Sequence, residues 1–449
     1  MKKIFQYIML AVVTIVMASC TSDIEETTAT TGKNNVQLVV GEFPVFGDSQ
    51  TRAIGTLDEG KTSWAEGDEL LLEIDNTSYG RHNATFTYNG SSWELTSGEL
   101  VYLEGDPAYI SHVYYAPNYK WEAGKLVLKE GKDPGTDEYI EGKARITGNG
   151  ETITVSFAEA TRKYSRLRIA TLPNEQITVD TEYFTPAGSS DMEQNGNYTL
   201  TSDEKGNAYL YGTFENNSEV TVKYREAALT TYTFSQATES AKSYALDATV
   251  ISANSAEEIK SAIEQKVADG KTTIRLNLAP NAGTNEFMAI REAIKGAAPN
   301  DLGTIELTII GVETIPEEAF YKMLQLKSVR MSDVKEIKKY AFKECQYLTV
   351  VEAPSLNKLC SGAFKKCDQL AKLTFGPINY ADERNWPIFE YVTQNIDLIL
   401  SDYQKEMIET DSYLYTANND RDYAGSNEHN SKNFLGREFR SITCRYKVK

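Results

Sequence analysis

The sequence predicts a multidomain chain: an all-β region of two antiparallel sandwiches, followed by an α/β repeat solenoid closed by caps. Three observations carry this prediction. Val312 to Phe375 is written three times at a step of 22 residues, residues 36–250 alternate apolar and polar side chains between turn residues, and a secretory-type leader opens the chain. A length of 449 residues argues against one core, since single cores rarely grow past ~250 to 300 residues. The 46 basic and 64 acidic residues leave a net charge of −18, which argues against nucleic acid or an anionic membrane face as the partner. With 41% apolar residues the chain is nonetheless globular, and its acidic balance reads as a solvated surface.

At the amino terminus Lys2 and Lys3 precede an apolar run from Ile8 to Met17, and Ala18 and Ser19 lead into Cys20. The run is short for a bilayer span and has the layout of a leader over residues 1–19. Thr21 to Lys33, rich in Thr and carrying Asp23, Glu25 and Glu26, makes residues 20–35 a disordered tether. Met17-Ala18-Ser19-Cys20 resembles a bacterial lipobox, with Met where Leu is usual. That resemblance implies that Cys20 is lipidated and becomes the mature terminus, the only attachment to a membrane. The acidic residues after it resemble the signal that sends Bacteroidetes lipoproteins to the outer face of the outer membrane.

Residues 36–136 and 137–250 are expected to form one sandwich each. Phe86 to Leu95 places Asn89-Gly90 between alternating residues, a hairpin signal. Ala144 to Ile146 and Ile153 to Phe157 flank Gly148-Asn149-Gly150 in the same way, and Leu167 to Ile169, Ala208 to Phe214 and Val220 to Tyr224 add strands. Trp64, before the turn Gly67-Asp68, is a large apolar body suited to closing a sandwich end. Two landmarks, Thr51-Arg52-Ala53 followed by Trp64-Ala65-Glu66-Gly67-Asp68, and Phe157-Ala158-Glu159 followed by Leu167-Arg168-Ile169, resemble the fimbrillin-like family. The resemblance implies two transthyretin-like sandwiches and makes Arg52 a candidate protease-processing site. Pilins of that family end in an assembly strand, whereas this chain runs on from residue 251 to 449, which argues against stalk polymerisation.

Residues 251–305 read as an α/β amino-terminal cap. Ser255-Ala256-Glu257-Glu258 is a capping box opening a helix through Val267, followed by a strand (Thr273 to Leu278), a helix (Glu286 to Lys295) and a strand (Thr304 to Ile310). In the repeats, residues 306–376, the aligned slots hold Ile315, Ile337 and Leu359, then the pairs Ala319-Phe320, Ala341-Phe342 and Ala363-Phe364, then Val329, Val351 and Leu373. One fixed step for so many apolar slots marks a stack in which each unit buries its open face against its neighbours. Pro316-Glu317-Glu318 reads as a helical first turn. The unit Ile-x-x-x-Ala-Phe-x-x-Cys-x-x-Leu-x-x-Val resembles the BspA-type leucine-rich repeat of bacterial surface proteins. It implies a solenoid with parallel strands on one face, adhesion or protein binding, and no catalytic residue. Three units are few, so residues 377–449 are expected to act as a closing cap.

No enzyme is predicted. The histidines His82, His112 and His429 lie in different segments without ligand-like spacing, no phosphate loop or nucleophile motif appears, and no cofactor or metal site is expected. Cys345 and Cys367 share one apolar slot of adjacent repeats, where core filling explains them better than a bridge between rungs. The aromatic run Tyr109, Tyr114, Tyr115, Tyr119 and Trp121 suits an ordinary strand more than a sugar-stacking platform. The candidate protein-binding face follows from strand alternation: with the apolar slots inside, Thr308, Arg330, Glu352 and Thr374 point out as a polar ladder. The expected partners are proteins, whether host matrix, pilin or another surface protein. The alternatives are an accessory tip or anchor subunit of a pilus and a surface glycan-binding lipoprotein.

Overall fold

A computed structural model describes residues 37–48, 60–76, 80–99, 108–147, 152–157, 162–225, 227–253, 255–381, 388–392, 395–402, 433–435 and 437–446. Cys20, the tether, Arg52 and His429 lie outside the described residues. The chain divides into two compact units, the first drawn from residues 1–45, 60–129 and 139–161, the second from 46–59, 130–138 and 162–449. No described helix is long and apolar enough to cross a membrane.

The first unit is built on a seven-stranded sheet in which an interior strand, Glu69–Asn76, pairs antiparallel with Gly80–Tyr88 and with the middle strand Ala108–Tyr115. Leu70, Leu72 and Ile74 alternate onto one face and bury with Phe86, Val113 and Tyr115. Trp64 closes this core as the sequence suggests: its Nε1 donates to the Gly41 carbonyl at 2.8 Å, and its ring meets Phe43, Trp93 and Tyr115 edge-on. At the predicted hairpin, Asn89 Oδ1 accepts the amides of Ser91 and Ser92, and Gly90 takes φ +92°.

The expected boundary at 136 does not hold. The strands Ile140–Thr147 and Thr152–Ser156 extend the first sheet, the former beside Ala108–Tyr115 and the latter beside Gln37–Val40. Ile140, Ile153 and Val155 complete the first core, while residues 130–138 belong to the second unit. Neither crossing is marked by linker composition, so the sequence signals strands without assigning them to a sheet.

In the second unit, Ser165–Ala170 pairs antiparallel with Asn207–Phe214 and parallel with Lys242–Asp247, in a mainly antiparallel sheet that ends on Gly47–Asp48. Its core contains Leu167, Ile169, Phe184, Leu210, Phe214 and Val222. Beside it the guanidinium of Arg162, 1% exposed, pairs with the buried carboxylate of Glu138 and lies 3.9 Å from the centre of the Phe46 ring. Tyr164 donates its hydroxyl to the same carboxylate at 2.8 Å.

The repeats continue this unit. Ser255 caps the helix Ala256–Ala268 by accepting the Glu258 amide, and the helix Thr284–Ala297 precedes the strand Ile305–Ile310. An eight-stranded parallel sheet then runs from Ile251–Ala253 through Thr273–Leu278, Ile305–Ile310, Leu326–Arg330, Val350–Ala353, Lys372–Phe375 and Asp397–Ser401 to Ser441–Tyr446. Leu307, Val329, Val351, Leu373 and Leu398 stand in one cross-strand row, all buried. A short parallel sheet, Thr314–Ile315, Glu336–Ile337, Lys358–Leu359 and Tyr380–Ala381, lines the other side of each rung. The closing segment therefore prolongs the long sheet by two strands.

Between the sheets the Ala-Phe turns stack their rings. Phe320, Phe342, Phe364 and Phe389 lie nearly parallel at 5.1 to 5.5 Å, closed edge-on by Phe287 at one end and Phe439 at the other. The expected helical turn at Pro316 is absent. Glu318, with φ +54°, and Lys322, with φ +56°, are left-handed, a conformation incompatible with a right-handed helix. Their amides instead bond to the next turn, Glu318 to Lys339 O and Lys322 to Lys343 O. Cys345 and Cys367 are buried thiols that donate to the carbonyls of Phe320 and Phe342. Burial pushes the Cys345 thiol up to about 12 and Cys367 well above its usual range. Site-resolved alkylation of the native protein at pH 8 is therefore expected to spare both and to reach them only after unfolding; labelling at the native rate would contradict their placement.

Candidate binding face

The long parallel sheet turns one side to the phenylalanine column and the other outward. Along the outward side, cross-strand neighbours run Arg275, Thr308, Arg330, Glu352, Thr374, Ile399 and Thr443. The predicted residues are thus brought into one row at the strand spacing of ~4.8 Å. They are not equally available. Thr308 is only 3% exposed, because the second unit's own antiparallel layer covers this end: Ile310, on the same strand, belongs to that layer's core, and Arg275 Nε donates to the Leu229 carbonyl at 2.6 Å. Thr308 is therefore withdrawn from the face, and the open part runs from Arg330 onward.

Arg330 Nε donates to Glu352 Oε2 at 2.9 Å, with both side chains partly exposed. Such a pair is worth under ~1 kcal/mol to the fold, so its side chains are free for recognition without packing duty. A parallel row adds Val350, Lys372, Asp397 and Ser441. Asp397 accepts from Arg440 Nε at 2.8 Å and from Ser441 Oγ at 2.7 Å. Those bonds, Arg440's first, pull the Asp397 carboxyl down to about 2. These residues were not singled out from the sequence. The alternation in Asp397-Leu398-Ile399-Leu400 was the signal for them, masked by lying beyond the last 22-residue step.

The sign of the pH effect follows from that shift. A carboxyl held below its ordinary value of 3.8 contributes stability that is complete above that value and is lost as pH falls through about 2. In an NMR titration Arg440→Ala is expected to return the Asp397 midpoint toward the ordinary value. A midpoint unmoved by that change would remove Arg440 as the cause.

Beside the face, a cleft of about 670 Å³ is lined by Gly311, Glu313, Asp333, Lys335 and Ser355, among others. Asp333 accepts the Gly311 amide and Lys335 pairs with Glu313, so the charged groups there are already engaged. Among the described residues no three His, Cys, Asp or Glu side chains group as metal ligands do. His82 and His112 flank the strand Glu69–Asn76 from its two sides, and His112 Nδ1 lies 3.3 Å from Glu141. Of the aromatic run, Tyr115 faces the first unit's core, while Tyr114, Tyr119 and Trp121 gather with Tyr139 around Leu71 on the opposite face. Tyr119 meets Tyr139 edge-on at 5.0 Å and Tyr114 meets Trp121 at 66°. The rings pack as a satellite core rather than in one plane, and burial raises the Tyr119 hydroxyl to about 12.

Residues 302–416 match the family model of the BspA type leucine rich repeat region, in six copies. The match starts before Ile305–Ile310 and ends past Asp397–Ser401, so it takes in the rungs on either side of the three that the 22-residue step reveals. No curated protein matches the chain. Among solved structures, GBS52, the minor pilin of the Gram-positive pathogen Streptococcus agalactiae, overlaps 48% of this chain and 94% of its own at 10% identity and a TM-score of 0.17. That overlay is too slight to carry an argument.

Proposed function

We propose that this is a lipid-anchored surface protein of the bacterial outer membrane, which binds other proteins through its leucine-rich repeat region. In this reading Cys20 carries the lipid, the two fimbrillin-like sandwiches act as a spacer, and the repeat solenoid is the binding head. The observation that carries it is the outward row Arg330, Glu352 and Thr374, a partly exposed polar strip on a sheet whose other side is fully packed. Repeat stacks offer such extended surfaces to partners, and the family match to residues 302–416 supports protein binding over catalysis. Two or more acyl chains anchor stably where one is marginal, so lipidation at Cys20 alone would suffice.

Two experiments test the two halves. Cys20→Ser, expressed in a host that processes lipoproteins, is expected to move the protein from the membrane to the soluble fraction; full membrane retention would refute the anchor. For the face, Arg330→Glu combined with Glu352→Lys keeps an ion pair and is expected to leave the melting temperature unchanged while losing the proteins captured from matrix extract or intact cells. The whole mature chain is the right bait, since an isolated fragment from residue 251 would strip Ile310 and Arg275 of their cover. Undiminished capture by the folded variant would move the site elsewhere.

A further inference from the structure

The turns joining the long and short strands form a ridge on which the charge balance of the chain reverses. The second and third turns carry Lys338, Lys339, Lys343, Lys365 and Lys366 against Glu344 and Asp368, in a chain of net charge −18. Elsewhere on the repeats four cations are matched: Lys327 with Glu306, Arg330 with Glu352, Lys335 with Glu313 and Lys358 with Glu336. On the ridge, Lys322 and Lys343 share Glu344, and Lys365 reaches the buried Glu390. Lys338, Lys339 and Lys366 have no carboxylate within 4.0 Å among the described residues.

Tyrosines are interleaved with these cations. Lys343 Nζ lies 5.0 Å from the Tyr321 ring centre and 4.9 Å from that of Tyr340, Lys339 lies 4.8 Å from Tyr340, and Lys366 lies 5.8 Å from the half-exposed Tyr391. The backbone under them is fixed. Glu344, Lys366 and Tyr391 are left-handed like Lys322, and the amides of Glu344 and Lys366 bond to Lys365 O and Glu390 O at 2.8 Å. Lys295, from the helix beside the first turn, is held below its usual range first by burial and then by Arg291, with Lys322 adding to this and Cys345 and Glu292 opposing.

We propose that this ridge is a second binding surface and that its partner is an acidic polysaccharide, a linear chain of uronate or sulfated sugars laid along the stack. Lys343 and Lys365, 22 residues apart, stand one rung step of ~4.8 Å from each other, close to the length of one pyranose ring. An extended acidic peptide puts side chains of one face at roughly 6.6 to 6.8 Å, out of phase with the rungs. Lysine is a mobile point charge that suits carboxylates and sulfates in varied orientations, where a phosphate reader would use the guanidinium fork. The tyrosine edges between them give apolar surface for sugar C–H groups.

The test uses the full mature chain with heparin and polygalacturonate as probes, dextran as the neutral control and poly-glutamate as the peptide comparator. Wild type is expected to bind at least one of the two polysaccharides, more weakly as salt rises. Lys339→Glu combined with Lys366→Glu breaks no ion pair within 4.0 Å among the described residues and should keep the melting temperature while weakening binding by about tenfold or more, with a shallower salt dependence. The Arg330→Glu, Glu352→Lys variant should bind the polysaccharide as wild type does, which separates this surface from the strand face. Absence of polysaccharide binding by wild type, unchanged affinity in the lysine variant, or tighter binding of poly-glutamate than of either polysaccharide would overturn the proposal.

Discussion

Phe342→Ala is expected to destabilise the second unit by about 3 to 5 kcal/mol, the cost of deleting a buried phenyl ring from a site that cannot collapse. Phe342 is fully buried, with Phe320 5.1 Å to one side and Phe364 5.4 Å to the other. Neither neighbour can move into the void without leaving its own place in the column, because each turn is hydrogen-bonded to the next. The loss is felt along the stack, since each rung is stabilised mainly by the rungs that flank it. Thermal or urea unfolding of the whole chain measures it. A shift under ~1 kcal/mol would mean that the column does not bear the stack.

Glu138→Ala is expected to cost as much, about 3 to 5 kcal/mol, by removing the carboxylate that the buried Arg162 guanidinium pairs with. Arg162 is among the most buried large side chains, and Glu138 is 4% exposed. Burial opposes the charge on Arg162, while Glu138 chiefly, with Tyr164, holds its pKa above the ordinary value. Replacing both partners together, Arg162→Met with Glu138→Leu, should recover most of the loss, because an apolar pair needs no compensating charge. A double variant as unstable as Glu138→Ala would show that the hydrogen bonds around the pair, rather than its charge, matter.

The repeat half of the molecule was largely legible in the sequence, and the reason is physical. A stack must place equivalent side chains in equivalent slots, so the column Phe320, Phe342, Phe364 and the row Leu307, Val329, Val351, Leu373 are visible as a period before any coordinates exist. The cap helix is legible through Ser255, whose hydroxyl does accept the Glu258 amide. What the sequence hid was long-range. Nothing local distinguishes Ile140–Thr147 as a neighbour of Ala108–Tyr115 rather than of a later strand, because alternation specifies a face and not a sheet. Nor does alternation reveal that another layer covers Thr308, although it points Thr308 outward correctly. The left-handed turns escaped for a third reason: Glu318, Lys322, Tyr340 and Lys366 hold positive φ without glycine, so the usual signal of that geometry is missing, and only Gly362 shows it. For the candidate face, three of the four residues predicted remain open, and the added row through Asp397 and Ser441 came from strands beyond the last visible repeat.

A protein partner is expected to dock on the outward row of the long parallel sheet. Photo-crosslinking from that row reads it most directly. A photoreactive residue replacing Thr374 in the full chain, with the same residue replacing Lys205 as an exposed comparator, is irradiated against intact cells or matrix extract. Docking there gives a discrete protein adduct from position 374 that disappears when Arg330→Glu and Glu352→Lys are introduced, and none from position 205. Adducts from position 205 alone, or a position-374 adduct indifferent to that charge exchange, would contradict it.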